Sequence, residues 1–241
     1  MRERLKTVVL ESPLATPARR VLEVVKPIRR RDRLDNEHLR LLLAFMLDAD
    51  SNCVDIGCNH GSVLEDIVRT APQGVHHAFE PVPSLAAELV RRFPGVTVHQ
   101  QALSNETTTA QFTHVVDHDG YSGLSDRDLT GHQLEHFDVE VVRLDDVLPA
   151  DHRIDFLKID VEGAELQALQ GAERILREQH PPIWMEHGED ASCHFGATSG
   201  DVWDLLCTEH GYRIMDSDGR GPLTRDEFRA CLGSMWNFLC R

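Results

Sequence analysis

Cysteine is sparse and scattered: six residues in 241, with no two in a C-x-x-C pair. That spacing gives no disulfide framework, and the expectation is reduced thiols in a reducing cytoplasm. Aromatics are also scarce, at 6%, which leaves little for stacking the bases of a single-stranded nucleic acid. Basic charge is in deficit: 25 Lys+Arg stand against 40 Asp+Glu, for a net charge of −15. A field of that sign repels phosphate backbones, so no nucleic-acid partner is expected. No apolar run approaches the length of a membrane span. Met1–Leu10 is charged throughout and lacks the apolar stretch of a secretory leader, so none is expected there. What is plentiful is ordinary hydrophobic residues, 41% of the chain. That is enough to bury the core of one domain with a small accessory segment.

The charge is unevenly spread. Residues 1–40 hold 11 of the 25 basic residues and 6 of the 40 acidic ones, leaving 14 and 34 to the rest. Residues 1–48 therefore read as a basic, helical N-terminal arm, and 49–241 as an acidic catalytic domain. The plain reading of Arg29–Arg33 is a solvated, mobile connector. The sharper one is a surface for an anionic partner or for the acidic body of a second subunit, which makes a homodimer one option. "NEHLRLLLAFML" (36–47) reads as a helix capped by Asn36, with Leu39, Leu42, Leu43, Met46 and Leu47 at helical spacing.

After the arm, strand and helix alternate. "NCVDIG", "VHHAFE" and "VTVHQ" read as strands, and "GSVLEDIVRT" and "PSLAAELVRRF" as the helices between them. This order predicts an α/β fold with a parallel sheet. Between 105 and 148 it pauses for a hairpin excursion, "TTTAQFTHVV" and "VEVVRL", around a polar loop rich in Gly, Asp and His. Such loops often bind. Alternation resumes with "IDFLKI", a helix over "GAELQALQGAERILRE", "IWMEH", a helix starting at a Thr198/Asp201 capping box, and a late antiparallel pair, "YRIM" and "MWNFLC".

The first strand runs straight into "VDIGCNHG", in which Asp55, Gly57 and Gly61 give D-x-G-x-x-x-G. Glycines let backbone turn tightly and approach a ligand closely. A dinucleotide fold would need G-x-G-x-x-G here. Asp55 would repel a pyrophosphate but attract the cationic amino-acid end of S-adenosylmethionine. Glu80, 19 residues after Gly61, ends the second strand, where an acid can accept ribose hydroxyls.

These residues carry a resemblance. "VDIGCNHG", "AFEPVPS", "QQALSN", "YSGL", "FLKIDVEGAELQALQGA" and "IWMEH" together resemble the FkbM family of S-adenosylmethionine-dependent methyltransferases, over about residues 50–190. The resemblance implies a Rossmann-like class I methyltransferase fold: a seven-stranded, mostly parallel sheet with an antiparallel last strand. It implies O-methylation, commonly of a sugar hydroxyl in an oligosaccharide, polysaccharide or glycolipid, or of a polyketide. It further implies that Asp55, Gly57, Cys58, Asn59, Gly61, Glu80, Pro81, Gln101, Ala102 and Ser122 form the cofactor site, with Tyr121 nearby. Cys58 and His60 depart from the family pattern, which has Ala before the Asn and an apolar residue after it.

In a doubly wound sheet, ligands gather at the carboxyl ends of the strands. Asp160 ends the fourth core strand and is the leading catalytic candidate. Glu162 and Glu165 follow it, where acids also suit a helix start. Glu186 and His187 end the next strand. Three readings stand for this group. Asp160, Glu186 and His187 hold Mg²⁺ or Mn²⁺; His187 serves alone as base; or Glu186 and His187 form a structural pair. His118, beside "DGYSGL", is an acceptor-site candidate. The H-x-x-x-H spacings of His114/His118 and His132/His136 lack the context of a zinc site. "DSDGRGPLTRDE" (216–227) has Arg220 where a calcium loop needs a ligand, and reads as a turn between the last strands. The competing functions are a nicotinamide-dependent oxidoreductase, which lacks its glycine signature here, and a non-catalytic S-adenosylmethionine binder. The expected acceptor is a hydroxylated small molecule or oligosaccharide.

Overall fold

Seven short strands of apolar and β-branched residues make one sheet, because each is long enough to cross a core and too short to bury itself alone. The computed structural model describes residues 27–117, 122–124 and 130–241, with side chains from Arg30 onward. The chain divides into two compact units, 1–41 and 42–241, each taken by itself below.

The helix α1 (Pro27–Met46) starts in the first unit and ends in the second. It opens at Pro27, whose missing N–H costs nothing at a helix start. It takes in Arg29–Arg33, which were read as a connector, and it passes through Asn36, which was read as a cap. Pairs one turn apart run along it: Arg31 Nε donates to Asp35 Oδ1 at 2.8 Å, and Arg33 pairs with Glu37 at 3.2 Å. Such pairs support helix where apolar periodicity is weak.

In the second unit the sheet order is β3-β2-β1-β7-β8-β10-β9. These are β1 (Cys53–Ile56), β2 (His76–Phe79), β3 (Val96–His99), β7 (Phe156–Ile159), β8 (Ile183–Glu186), β9 (Ile214–Asp216) and β10 (Asn237–Cys240). Strand β10 is antiparallel to both β8 and β9, and the other pairs are parallel. Strands β1 and β7 are buried at every position. Their register sets Asp55 opposite Lys158 and Ile56 opposite Ile159.

The excursion is a second, three-stranded sheet. Strands β5 (Thr108–Val115) and β6 (Leu134–Val142) pair antiparallel, and a two-residue strand β4 (Ala102–Leu103) joins β6 in parallel. The first half of β6 is largely exposed, so it lacks the alternation that marks a strand in sequence. The expected helix over 163–178 is two: Glu165–Gln170 and Glu173–Glu178. The break is at Gly171, where a Cβ would stand 2.0 Å from the Ser104 carbonyl oxygen. Glu173 and Arg177 pair at 3.4 Å, and the Thr198/Asp201 capping box forms. Glu227 completes a second capping box with Thr224, at the start of the helix Arg225–Cys231. All six cysteines are free. Among the described residues no helix is long and apolar enough to cross a membrane.

Candidate active site

A cavity lies at the carboxyl ends of β1, β2 and β7. It is open to solvent and is lined from the ends of all three strands and from the second sheet. The glycine turn forms its floor. Gly57 leaves β1 with φ +74°, and a Cβ there would stand 1.8 Å from the Asp160 carbonyl oxygen. Asn59 is also left-handed, at φ +49°. Gly61, at φ +72°, starts the helix Ser62–Thr70. Only Gly57 and Asn59 of this turn line the cavity. Gly61 and Cys58 shape it from behind. The buried Cys58 Sγ donates to the Asp55 carbonyl at 3.0 Å, and burial and the Asp55 charge push its thiol well up. Cys58 is a packing residue rather than the direct ligand expected.

Glu80, at the tip of β2, is 4% exposed and lines the cavity. Its two oxygens accept from the Asn59 N–H at 2.7 Å and the Val82 N–H at 2.9 Å. Burial pushes its carboxyl up, against the pull of those amides. A carboxylate has about four lone-pair sites, so acceptor capacity remains for two hydroxyls. Pro81, Gln101 and Ala102 line the same side, and Phe112 of β5 closes it. Ser122 lines it too: Gly123 pairs with Thr113 through two backbone bonds of 2.9 and 3.0 Å, and the Ser122 hydroxyl accepts from the Val115 N–H at 3.0 Å.

Asp160, just past the end of β7, also lines the cavity, with its side chain 32% exposed. Beneath it lies a buried charge cluster. The Lys158 ammonium sits 3.5 Å from Asp160 Oδ2, 3.3 Å from Asp55 Oδ1 and 2.5 Å from the Gly57 carbonyl. Burial works against that ammonium, but the Asp55 and Asp160 charges outweigh it and raise its pKa. Burial pushes the Asp160 carboxyl up, helped by Glu165 and Asp55 and opposed by Lys158. Asp55 was expected to hold the cationic end of a cofactor. It is 0% exposed, does not line the cavity and faces Lys158 instead. In-register pairing puts its side chain on the same face of the sheet as that of Lys158.

The turn after Asp160 is held from behind. Glu162 lines the cavity with a left-handed φ of +55°. Gly163 follows at φ +108°, and a Cβ there would stand 2.5 Å from the Ala191 carbonyl. Glu165, 1% exposed, accepts the Gly163 N–H at 2.7 Å and meets His187 Nδ1 at 3.0 Å. His187 Nε2 meets Ser199 Oγ at 2.9 Å, and that hydroxyl also bonds Glu189. With both ring nitrogens engaged and 1% exposure, His187 is not placed as a base or a metal ligand. The carboxylate beside it is Glu165 rather than the expected Glu186. Glu186 ends β8 opposite Asn237 and does not line the cavity. Among the described residues no group of three or more His, Cys, Asp or Glu is placed to hold a metal ion. The Asp160–Glu186–His187 set therefore does not fit Mg²⁺ or Mn²⁺. His118 and Tyr121 lie outside the described residues. The other suspect histidines have local partners: His114 with Glu135, His132 with Asp117 and His136 with Thr113.

Sequence reasoning missed Lys158 and Ser199. The signal for Lys158 was present, a lone cation in the buried strand "FLKI". Ser199 had none beyond its place beside a capping box.

Comparison with known proteins agrees with this architecture. Residues 55–214 match the methyltransferase FkbM domain. "Methyltransferase 1" of Beauveria bassiana is 33% identical over 146 residues, covering 51% of this chain and 58% of that protein. The chain thus matches little more than half the length of that relative. A crystal structure of a methyltransferase FkbM from Methylobacillus flagellatus KT aligns with a TM-score of 0.52 at 20% identity, over 80% of this chain and 44% of that one, and shares the fold. With the family matched over residues 55–214, this chain belongs to the FkbM methyltransferase domain family.

Proposed function

We propose that this chain transfers a methyl group from S-adenosylmethionine to a hydroxyl, most favourably of a sugar in an oligosaccharide, polysaccharide or glycolipid. One observation carries the reading: a single cavity brings together the Gly57 turn, the buried Glu80 and the strand-end Asp160. These residues fit the cofactor. Glu80 keeps acceptor capacity that would take the ribose hydroxyls, Gln101 and Ala102 would flank the adenine, and Gly57 would let backbone close on the amino-acid end. When bound, the cofactor supplies an electrophilic methyl on a cationic sulfonium. The chain's work is then alignment of the acceptor oxygen with that carbon, which can supply much of the lowering of the barrier, and removal of a proton. Asp160 is the proposed base. It reaches the cavity, and its raised pKa makes it a stronger proton acceptor than an ordinary aspartate. Because the strand-end acids do not fit a metal ion, the proposed route uses none.

A polyketide-type hydroxyl is the second acceptor class, favoured by the apolar wall of Leu85, Phe112 and Leu124. The −15 net charge supports an acceptor other than nucleic acid. The test is label transfer from methyl-tritiated S-adenosylmethionine to a panel of mono- and oligosaccharides and polyketide alcohols. Label on a saccharide hydroxyl is expected. Label confined to the polyketides favours the second class. Binding of NAD in place of S-adenosylhomocysteine contradicts methyl transfer.

A further inference from the structure

Lysine is among the residues least often fully buried, yet Lys158 is 6% exposed in the middle of the sheet, between β1 and β8. Replacing a buried ion pair with well-packed apolar residues is often neutral or stabilising. Stability alone therefore gives no reason for a Lys158–Asp55 pair in a strand otherwise made of Phe, Leu and Ile.

Its surroundings give a better one. Four oxygens lie around this ammonium: it donates to the Gly57 carbonyl at 2.5 Å and the Ile56 carbonyl at 3.4 Å, and it pairs by charge with Asp55 Oδ1 at 3.3 Å and Asp160 Oδ2 at 3.5 Å. Two belong to the backbone that enters the glycine turn, and one to the carboxylate that faces the cavity. The tips of β1 and β7 also touch directly, since Gly57 has no room for a Cβ beside Asp160. The lysine thus binds the turn and the carboxylate to each other from beneath.

We infer that Lys158 is a positioning residue of the methyl-transfer site, holding the Gly57 turn and the Asp160 carboxylate in one fixed arrangement through a single buried ammonium. The inference rests on the methyl-transfer reading above. It also has an electrostatic side. Among the described residues, the groups acting on the ammonium and Asp160 are Asp55 of β1, Cys58 of the turn, Glu80 at the tip of β2 and Glu165 of the helix after β7. All are anionic or neutral. Lys158 is the one cation among them, and it opposes protonation of Asp160. Without it, Asp160 takes up a proton at higher pH.

The test is calorimetric titration with S-adenosylhomocysteine between pH 5.5 and 8.5. It compares the wild type, Lys158→Met, Lys158→Arg and the double variant Asp55→Asn/Lys158→Met, with thermal midpoints recorded alongside. The wild type is expected to bind. Lys158→Met should bind roughly 10- to 100-fold more weakly at pH 7.5, the scale on which a misplaced supporting shell acts. Its affinity should also begin to fall at a higher pH than in the wild type as the solution is acidified. Lys158→Arg keeps the charge and should restore the pH of that fall. The double variant removes both members of the buried charge pair and is expected to fold even where Lys158→Met does not. It should match the wild type in thermal midpoint yet still bind at least about tenfold more weakly. Wild-type affinity and pH dependence in Lys158→Met, or wild-type affinity in the double variant, overturns the inference and leaves the methyl-transfer reading standing. Failure of the wild type to bind overturns both.

Discussion

At Glu80, two backbone amides and the ribose hydroxyls of the proposed cofactor draw on one carboxylate. Glu80→Ala leaves the Asn59 and Val82 N–H groups without their acceptor and removes the hydroxyl contacts. It should weaken S-adenosylhomocysteine binding by roughly tenfold or more, read by calorimetry, and unchanged affinity would reject the ribose role. Asp160 faces the cavity and has a different job. Asp160→Asn keeps the shape and removes the base, so turnover should fall by about 10²–10⁴-fold with the thermal midpoint nearly kept. A near-normal rate would end the assignment. Gly57→Ala meets both a left-handed φ of +74° and a Cβ position 1.8 Å from a carbonyl oxygen. It should cost about 2 kcal/mol or more of stability, measured by urea unfolding. Glu80 and Asp160 could be read as acids ending apolar strands, and both line the cavity. The partner of Asp55 was not legible for a physical reason. In-register neighbours share a face of the sheet, and the Asp55–Lys158 register joins segments about a hundred residues apart.

Between elements, the run Gly163–Glu165–His187–Ser199–Glu189 ties the turn after β7 to the end of β8 and to the helix Ser199–Trp203. It holds Glu162 and Gly163 in their left-handed conformations from outside the cavity. His187→Ala leaves a buried carboxylate and hydroxyl without their partner. It should destabilise by roughly 3 kcal/mol and, where it folds, slow turnover far less than Asp160→Asn. Equal losses in the two variants would return His187 to the chemistry. EDTA should leave methyl transfer unchanged, and loss of activity restored by Mg²⁺ would contradict a metal-free route. The core strands were readable because β1, β7 and β8 are apolar and bounded by Gly, Pro or acids. The break at Gly171 and the exposed half of β6 were not. The first depends on the approach of Ser104, and the second carries no alternation to read.

Across the molecule, the far edge of the sheet carries a stack of rings. His77 and His99 are stacked at 5.3 Å, His99 and Phe79 at 4.4 Å, and His152 meets His77 edge-on at 4.9 Å. Burial, then the neighbouring histidines, hold the His77 imidazole down to about 4. Burial also lowers His76, His99 and His152. Unfolded histidines titrate near ~6.5, so between that pH and about 4 the unfolded chain binds more protons than the folded one. The stability these groups contribute is present above ~6.5 and is lost as pH falls toward 4. The urea midpoint should therefore drop from pH 7 to pH 5, with a smaller drop in His77→Phe. A flat profile in the wild type would contradict the buried neutral stack. The acidic character of the chain, −15 over its 241 residues, was legible from composition, but composition says nothing of where its few buried cations sit. The central claim is that the cavity at the tips of β1, β2 and β7 receives the methyl donor, and a crystal structure of the S-adenosylhomocysteine complex tests it most directly. The predicted result is the nucleoside against Glu80 and Gln101, with the amino-acid end over the Gly57 turn beside Asp160; the product seated elsewhere, or the cavity empty at saturating concentration, would contradict it.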